Sequence, residues 1–290
     1  MEKLTTSPLI AGTMKWGTWG AKMTRLEMSR YIEYCLSLGI HTFDCAPIYG
    51  GYTTEAEFGA ALSDLRLLRD DFLVISKCGI EYPCAENPIE LKHYDYTFDS
   101  ILASVERSLE RLKVDTLDLL LLHRPSPLMD PEVVASAVES LKQKGKIRDF
   151  GVSNFSPTTS ALLGEHTVIN ANQIQCSLTH LQPFTDGTFD HHMQNNIAIQ
   201  CWNPLGSLLS EKGDRETRII EVATSLSEKY GVSLNALFIA WLMKHPARLV
   251  PVVGTTNQTR LSEMTVSVKI EMEQMDWFRL YTASTGVDVP

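Results

Sequence analysis

Short apolar runs alternate with amphipathic helices along most of this chain, the pattern that builds a parallel sheet covered by helices. The strongest run is Leu117-Asp-Leu-Leu-Leu-Leu-His123. Its nearly unbroken apolar character is that of a strand buried on both faces. His41 to Asp44 and Phe72 to Lys77 read as strands before it, with an early strand around Leu9 to Met14. Ile147 to Ser153, Asn172 to Cys176, Ala198 to Trp202 and Leu249 to Val253 follow. Eight parallel strands with helices between them fit a closed (β/α)8 TIM barrel better than an open sheet.

The helices announce themselves by their starts. Thr24-Arg-Leu-Glu27 is a capping box, and it opens a helix with Met28, Ile32, Cys35 and Leu36 on one face. Glu55 to Leu62 and Phe98 to Leu112 are helical. Asp130 before Pro131 and Ser156 before Pro157 each place a cap ahead of a proline at the first helical position. No linker, repeat or charge run divides the chain, so residues 1–290 are expected to form one domain.

Composition narrows the function. A formal net charge of −9 argues against a nucleic-acid partner, which requires a basic face. No apolar segment approaches the roughly 20 residues needed to span a bilayer, and Met1 to Met14 lacks the features of a secretory signal. Cys35, Cys45, Cys78, Cys84, Cys176 and Cys201 contain no CxxC pair, which suits a reduced, cytoplasmic protein without a structural metal. His191 and His192 are expected on an exposed helix rather than in a metal site.

In a parallel barrel the reactive groups sit at the C-terminal ends of the strands. Asp44, Lys77 and His123 each end a successive apolar run, and Tyr49 follows Asp44 in a Gly- and Pro-containing loop. If Asp44 and Lys77 point inward, Cys45 and Cys78 point outward. Together the four make coherent chemistry. A phenol with an ordinary pKa of about 10 is a poor acid near neutrality. An ammonium ~4 Å away, at an effective dielectric near 20, favours the phenolate by about 4 kcal/mol before desolvation opposes it. Asp44 would hold Lys77 charged, and His123 would orient a carbonyl oxygen toward Tyr49.

These residues resemble the Asp–Tyr–Lys–His tetrad of the aldo-keto reductases. The resemblance runs from Ala11-Gly-Thr-Met14 to Pro290 and is strongest in a bacterial oxidoreductase branch. It rests on Tyr49-Gly-Gly-Tyr52, Ser76-Lys-Cys-Gly-Ile80, Leu121-Leu-His-Arg-Pro125 and Gly151-Val-Ser-Asn-Phe155. It implies an NADPH/NADP+-dependent enzyme that reduces an aldehyde or ketone, a small-molecule carbonyl substrate, and a monomer or weak homo-oligomer. It further implies that Ser153, Asn154 and Gln175 bind the nicotinamide carboxamide and that Trp202 stacks on its ring. Asn203, Pro204, Leu205, Gly206 and Ser207 would approach the pyrophosphate, with Gly12, Thr13 and Met14 on the cofactor's other side. Gly254, Thr255 and Thr256 would receive the adenosine end, Arg260 the 2′-phosphate and Glu263 the adenine. Gly254 and Met264 depart from the lysine and asparagine of many relatives. Trp16, Tyr82 and Tyr94 are expected to bound the substrate pocket, with His93 and Tyr96 from the same segment.

Two other readings stay open. Lys77 could serve a Schiff-base lyase as nucleophile. The resemblance also admits a nucleotide-sensing regulatory subunit that binds NADPH and turns over slowly, though no extra domain or adaptor segment favours it.

Overall fold

The computed structural model describes residues 6–290. β1 (Ile10–Gly12), α1 (Arg25–Ser37), β2 (Thr42–Asp44), α2 (Thr54–Ser63) and β3 (Leu73–Cys78) open the chain. A small antiparallel hairpin of β4 (Ile80–Glu81) and β5 (His93–Tyr94) follows. Then come α3 (Phe98–Leu112), β6 (Leu117–Leu122), α4 (Pro131–Gln143), β7 (Ile147–Ser153), α5 (Pro157–Gly164) and β8 (Ala171–Gln175). The remainder is α6 (Thr188–Gln194), β9 (Ala198–Trp202), α7 (Asp214–Tyr230), α8 (Leu234–Met243), β10 (Val250–Val253), α9 (Gln258–Thr265) and α10 (Gln274–Thr285).

Eight parallel strands close a barrel in the order β1-β10-β9-β8-β7-β6-β3-β2, giving the (β/α)8 fold. By contacts the chain divides into two compact units, the first ending at Gln173 and the second spanning Ile174–Pro290. The division falls inside β8, where no change of composition marks it.

In the first unit, β6 lies between β3 and β7, with Lys77 beside Leu121 and Leu121 beside Gly151. A strand flanked by neighbours and covered by helices must be apolar on both faces, and all six β6 residues are buried. Asp118 is the one charged member. Its carboxylate accepts from the Val74 amide at 2.7 Å, from Arg69 at 2.6 Å and from Arg148 at 2.9 Å, which satisfies it at the N-terminal end of the strands. The capping box at Thr24 forms, and the Asp130 and Ser156 side chains cap their helices ahead of Pro131 and Pro157. On α3, Ile101, Val105, Leu109 and Leu112 form the buried stripe that their spacing predicts.

The second unit packs Phe189, Leu208, Ile219, Leu237, Trp241 and Leu280 into its core. Trp241 and Trp277 stack at 5.0 Å and exchange indole N–H bonds to each other's carbonyls. α8 is apolar around nearly its whole circumference, and it is buried accordingly. α6 forms where an exposed helix was expected, but only part of it is exposed. His192 is fully buried, its Nδ1 paired with the Thr188 carbonyl one turn back. Among the described residues no helix is long and apolar enough to cross a membrane, and no group of His, Cys, Asp or Glu could hold a metal ion.

Candidate active site

Three strands of the first unit deliver the reactive side chains. Asp44 is the last residue of β2, Lys77 lies one residue from the end of β3, and His123 directly follows β6. Lys77 Nζ uses its three donors on Asp44 Oδ1 at 2.7 Å, the Cys45 carbonyl at 2.8 Å and Tyr49 Oη at 3.1 Å. The His123 ring stands edge-on to Tyr49 with centroids 6.1 Å apart. The expected tetrad is therefore assembled around one buried ammonium.

The loop that carries Tyr49 is bent sharply. Gly50, Gly51 and Tyr52 all take positive φ, at 64°, 68° and 72°. A Cβ on Gly50 would fall 2.4 Å from Thr54 Oγ1, so glycine is required there for space as well as for conformation. Tyr52 then points away from the tetrad and gathers the hairpin, accepting from the Tyr82 amide at 2.9 Å and from Asn87 Nδ2 at 3.2 Å.

Burial governs the titration of the cluster. It pushes the Tyr49 phenol up to about 12; Lys77 pulls it down and Asp44 pushes it further up. Lys77 does favour the phenolate, as the sequence leads one to expect, but desolvation of the buried tyrosine outweighs it. Burial also works against the Lys77 ammonium, but Asp44 and then Tyr49 outweigh it and hold the ammonium above its usual range. His123 is pushed well below 6.5 by burial, then by Lys77, Arg124 and Lys92. At neutral pH the site holds a protonated phenol, a charged lysine and a neutral imidazole.

That protonation pattern bears on the rival chemistry of Lys77. A Schiff-base nucleophile needs a neutral amine with a free lone pair. Lys77 is held charged with its three donors engaged, so it presents no such lone pair. Cys45 and Cys78 are both buried, and burial raises both thiols.

One sequence assignment, Trp16, needs correction, and two residues beside the tetrad, Trp19 and Gln173, were missed. Trp16 does not border the site. It is 1% exposed and packs edge-on against Tyr31 and Phe43, with Phe58 alongside. The indole beside Tyr49 is Trp19, with centroids 6.4 Å apart, and its other neighbour is Tyr82 at 5.7 Å. On β8, Gln173 is joined to the tetrad, its Nε2 donating to Asp44 Oδ1 at 2.8 Å, two residues before Gln175, the glutamine expected at the nicotinamide carboxamide. The two glutamines share one face of the strand by alternation, and nothing in the spacing distinguishes the deeper one. Tyr94 is exposed on β5, and His93 beside it pairs with the Leu91 carbonyl. Tyr96 turns inward and is 7% exposed.

Of the residues expected at a cofactor, Ser153 and Asn154 are joined in the first unit. Asn154, at φ 60°, donates to Ser153 Oγ at 2.8 Å, and Ser153 donates to the Gln173 carbonyl at 2.9 Å. Gly12 ends β1, Thr13 holds the Asp44 carbonyl through both its amide and its hydroxyl, and Met14 is exposed.

In the second unit, Trp202 ends β9 half-buried and Asn203 turns the chain at φ 52°. Pro204 is buried, Leu205 is half-buried, and Gly206 donates back to the Asn203 carbonyl at 2.9 Å. Ser207 is half-buried and held in place: Thr179 Oγ1 accepts from its amide at 3.1 Å and Glu216 accepts from its hydroxyl at 2.8 Å. Gly254 is exposed with open space where a side chain would stand, followed by half-buried Thr255 and Thr256. Asn257 caps α9 by accepting from the Arg260 amide at 3.0 Å, and Arg260 is exposed in the first turn. Glu263 accepts from Asn235 at 3.2 Å, and Met264 is buried.

A parallel barrel with an ionisable cluster at the C-terminal ends of its strands defines an enzyme of the (β/α)8 class. The chain belongs to the aldo/keto reductase family, whose model matches residues 8–284. It is 39% identical over 295 residues to the uncharacterized oxidoreductase YcsN of Bacillus subtilis (strain 168), covering 100% of this chain and 98% of that one. It is 37% identical over 294 residues to a 6-dehydroglucose reductase of Agrobacterium fabrum (strain C58), covering 99% and 97%. The solved glycerol dehydrogenase of Gluconobacter oxydans shares the fold with a TM-score of 0.87 at 22% identity, covering 98% and 94%. The protein is an oxidoreductase of a family that uses a nicotinamide cofactor and acts on small molecules.

Proposed function

We propose that this oxidoreductase uses NADPH to reduce an aldehyde or ketone to an alcohol. The observation that carries the proposal is the Lys77 ammonium, held between the Asp44 carboxylate at 2.7 Å and the Tyr49 hydroxyl at 3.1 Å. NADPH, when bound, supplies the hydride that reaches the carbonyl carbon. Tyr49 gives its proton to the carbonyl oxygen, and the charge left on the phenolate is met by Lys77. His123, neutral at working pH, offers a ring N–H to the same oxygen and fixes its direction.

The residues present suit a dinucleotide. Ser153, Asn154 and Gln173 form a polar chain of amide and hydroxyl groups suited to a carboxamide. Trp202 is half-buried at a strand end, as a ring-stacking partner would be. Gly254 leaves room for close backbone approach, and Arg260 is an exposed guanidinium suited to a 2′-phosphate. Gln175, Asn203, Pro204, Leu205, Gly206, Ser207, Thr255, Thr256 and Glu263 complete the assignment by their match to the family pattern. Six free cysteines suit action in the reducing cytoplasm.

For the substrate, Trp19 and Tyr82 offer aromatic faces next to Tyr49. Such faces stack on the C–H side of a sugar ring as well as on apolar carbonyl compounds. The name of the Agrobacterium relative makes 6-dehydroglucose the first sugar aldehyde to try. NADPH consumption across aldehydes, ketones, dicarbonyls and sugar aldehydes tests the proposal. Turnover of at least one class supports it, whereas tight NADPH binding with no turnover supports the regulatory-subunit alternative.

A further inference from the structure

The hairpin of β4 and β5 leaves the barrel at Gly79 and returns at Tyr96, and its return point meets the residue after His123. Tyr96 Oη donates to the Arg124 carbonyl at 2.6 Å and accepts from the Arg124 amide at 3.3 Å. One hydroxyl therefore clasps both ends of a single residue's backbone. His123 itself is held from the other side, its amide donating to the Cys78 carbonyl at 3.0 Å. The Tyr96 ring reaches this position across Gly79, where a Cβ would fall 1.9 Å from Tyr96 Cε1 and φ is +96°. The Asp95 amide donates to the Gly79 carbonyl at 2.9 Å and closes the base of the hairpin. Asn87, near the hairpin's tip, is tied to Tyr52 at 3.2 Å and to Glu81 at 2.9 Å, so both ends of the segment are fixed.

A buried tyrosine could serve only to fill space. A hydroxyl used twice on the backbone next to the imidazole does more, because the ring of His123 follows its own main chain. We propose that Tyr96 is a positioning residue that sets the direction of the His123 ring through the Arg124 backbone, and so links the hairpin beside the substrate to the tetrad. This rests on the reductase function proposed above. The covering segment and the proton-donating site would then be adjusted together: a substrate that shifts the hairpin shifts His123.

The test is Tyr96→Phe, which keeps the ring against Gly79 and removes the hydroxyl. It should lower kcat by about ten- to a hundredfold, the usual consequence of an ångström-scale misplacement of a reacting group. NADPH affinity and melting temperature should stay near those of the parent. In a His123→Gln background the same substitution should cost nothing further, because Tyr96 acts through the imidazole. An unchanged kcat, or an equal loss with and without His123, overturns the proposal. A readout free of turnover separates this from failure of the reductase function. In Tyr96→Phe the His123 ring resonances, assigned by their absence in His123→Gln, should shift and the Arg124 amide should exchange faster. Unmoved resonances and exchange overturn the proposal even in a protein that reduces nothing.

Discussion

Lys77 donates to Asp44 at 2.7 Å with both side chains almost wholly buried, 1% and 4% exposed, and the ammonium's remaining donors reach Cys45 and Tyr49. Two charges removed from water persist only when each satisfies the other and their surroundings complete the hydrogen bonding. Gln173 adds a second donor to the same Asp44 oxygen.

Asp44→Asn should therefore destabilise the fold as well as slow the reaction. Removing one partner of a buried pair leaves the other charge uncompensated and costs about 3–5 kcal/mol. Denaturant unfolding of the variant measures this, and an unchanged midpoint would mean that Lys77 does not depend on Asp44 for its charge.

Tyr49 should ionise late in the cofactor-free protein. Its phenol is pushed up to about 12 by burial, against an ordinary value near 10. Subtracting the ultraviolet titration of Tyr49→Phe from that of the parent isolates this group. Phenolate should be absent from the difference at neutral pH and develop only above pH 10. The sign also fixes a stability effect: between pH 10 and 12 the unfolded chain loses this proton first, so rising pH favours unfolding.

Trp16 and Trp19 should separate cleanly. Trp16→Ala empties a packed aromatic core and should cost about 3–5 kcal/mol of stability. Trp19→Ala should leave stability close to the parent and raise KM for the carbonyl substrate several-fold. Unfolding curves and steady-state kinetics on the two variants decide it; the opposite pattern would restore Trp16 to the substrate wall.

These two tryptophans show where sequence reasoning reached its limit. Strands and helices were legible because burial imposes periods of two and of about 3.6, and because Thr24, Asp130 and Ser156 mark helix starts chemically. β7, β9 and α3 fall on the residues that the pattern predicts. The tetrad was legible because Asp44, Lys77 and His123 interrupt apolar runs at equivalent positions. Loops carry no period, so Trp16 and Trp19, three residues apart, could not be told from each other. Gln173 and Gln175 share a strand face, and only the depth of the Asp44 carboxylate selects between them. How far desolvation outweighs Lys77 at Tyr49 was not legible, because burial is not written in any local pattern. The two-residue strands of the hairpin are too short to leave a signature.

Arg260→Ala should weaken NADPH far more than NADH. One charge-assisted contact to a phosphate contributes about 1.5–3 kcal/mol, or roughly 10- to 100-fold in Kd. Titration calorimetry with both cofactors measures the two losses, and equal losses would remove the 2′-phosphate assignment.

The central claim is that Tyr49 is the proton donor of a carbonyl reduction, and Tyr49→Phe tests it most directly. NADPH consumption and NADPH binding are measured side by side on the parent and the variant. The account predicts that reduction of any carbonyl turned over by the parent falls at least a hundredfold, on the order expected for loss of a general acid, while NADPH binds as before. A variant that reduces the same substrate at the parental rate would contradict it.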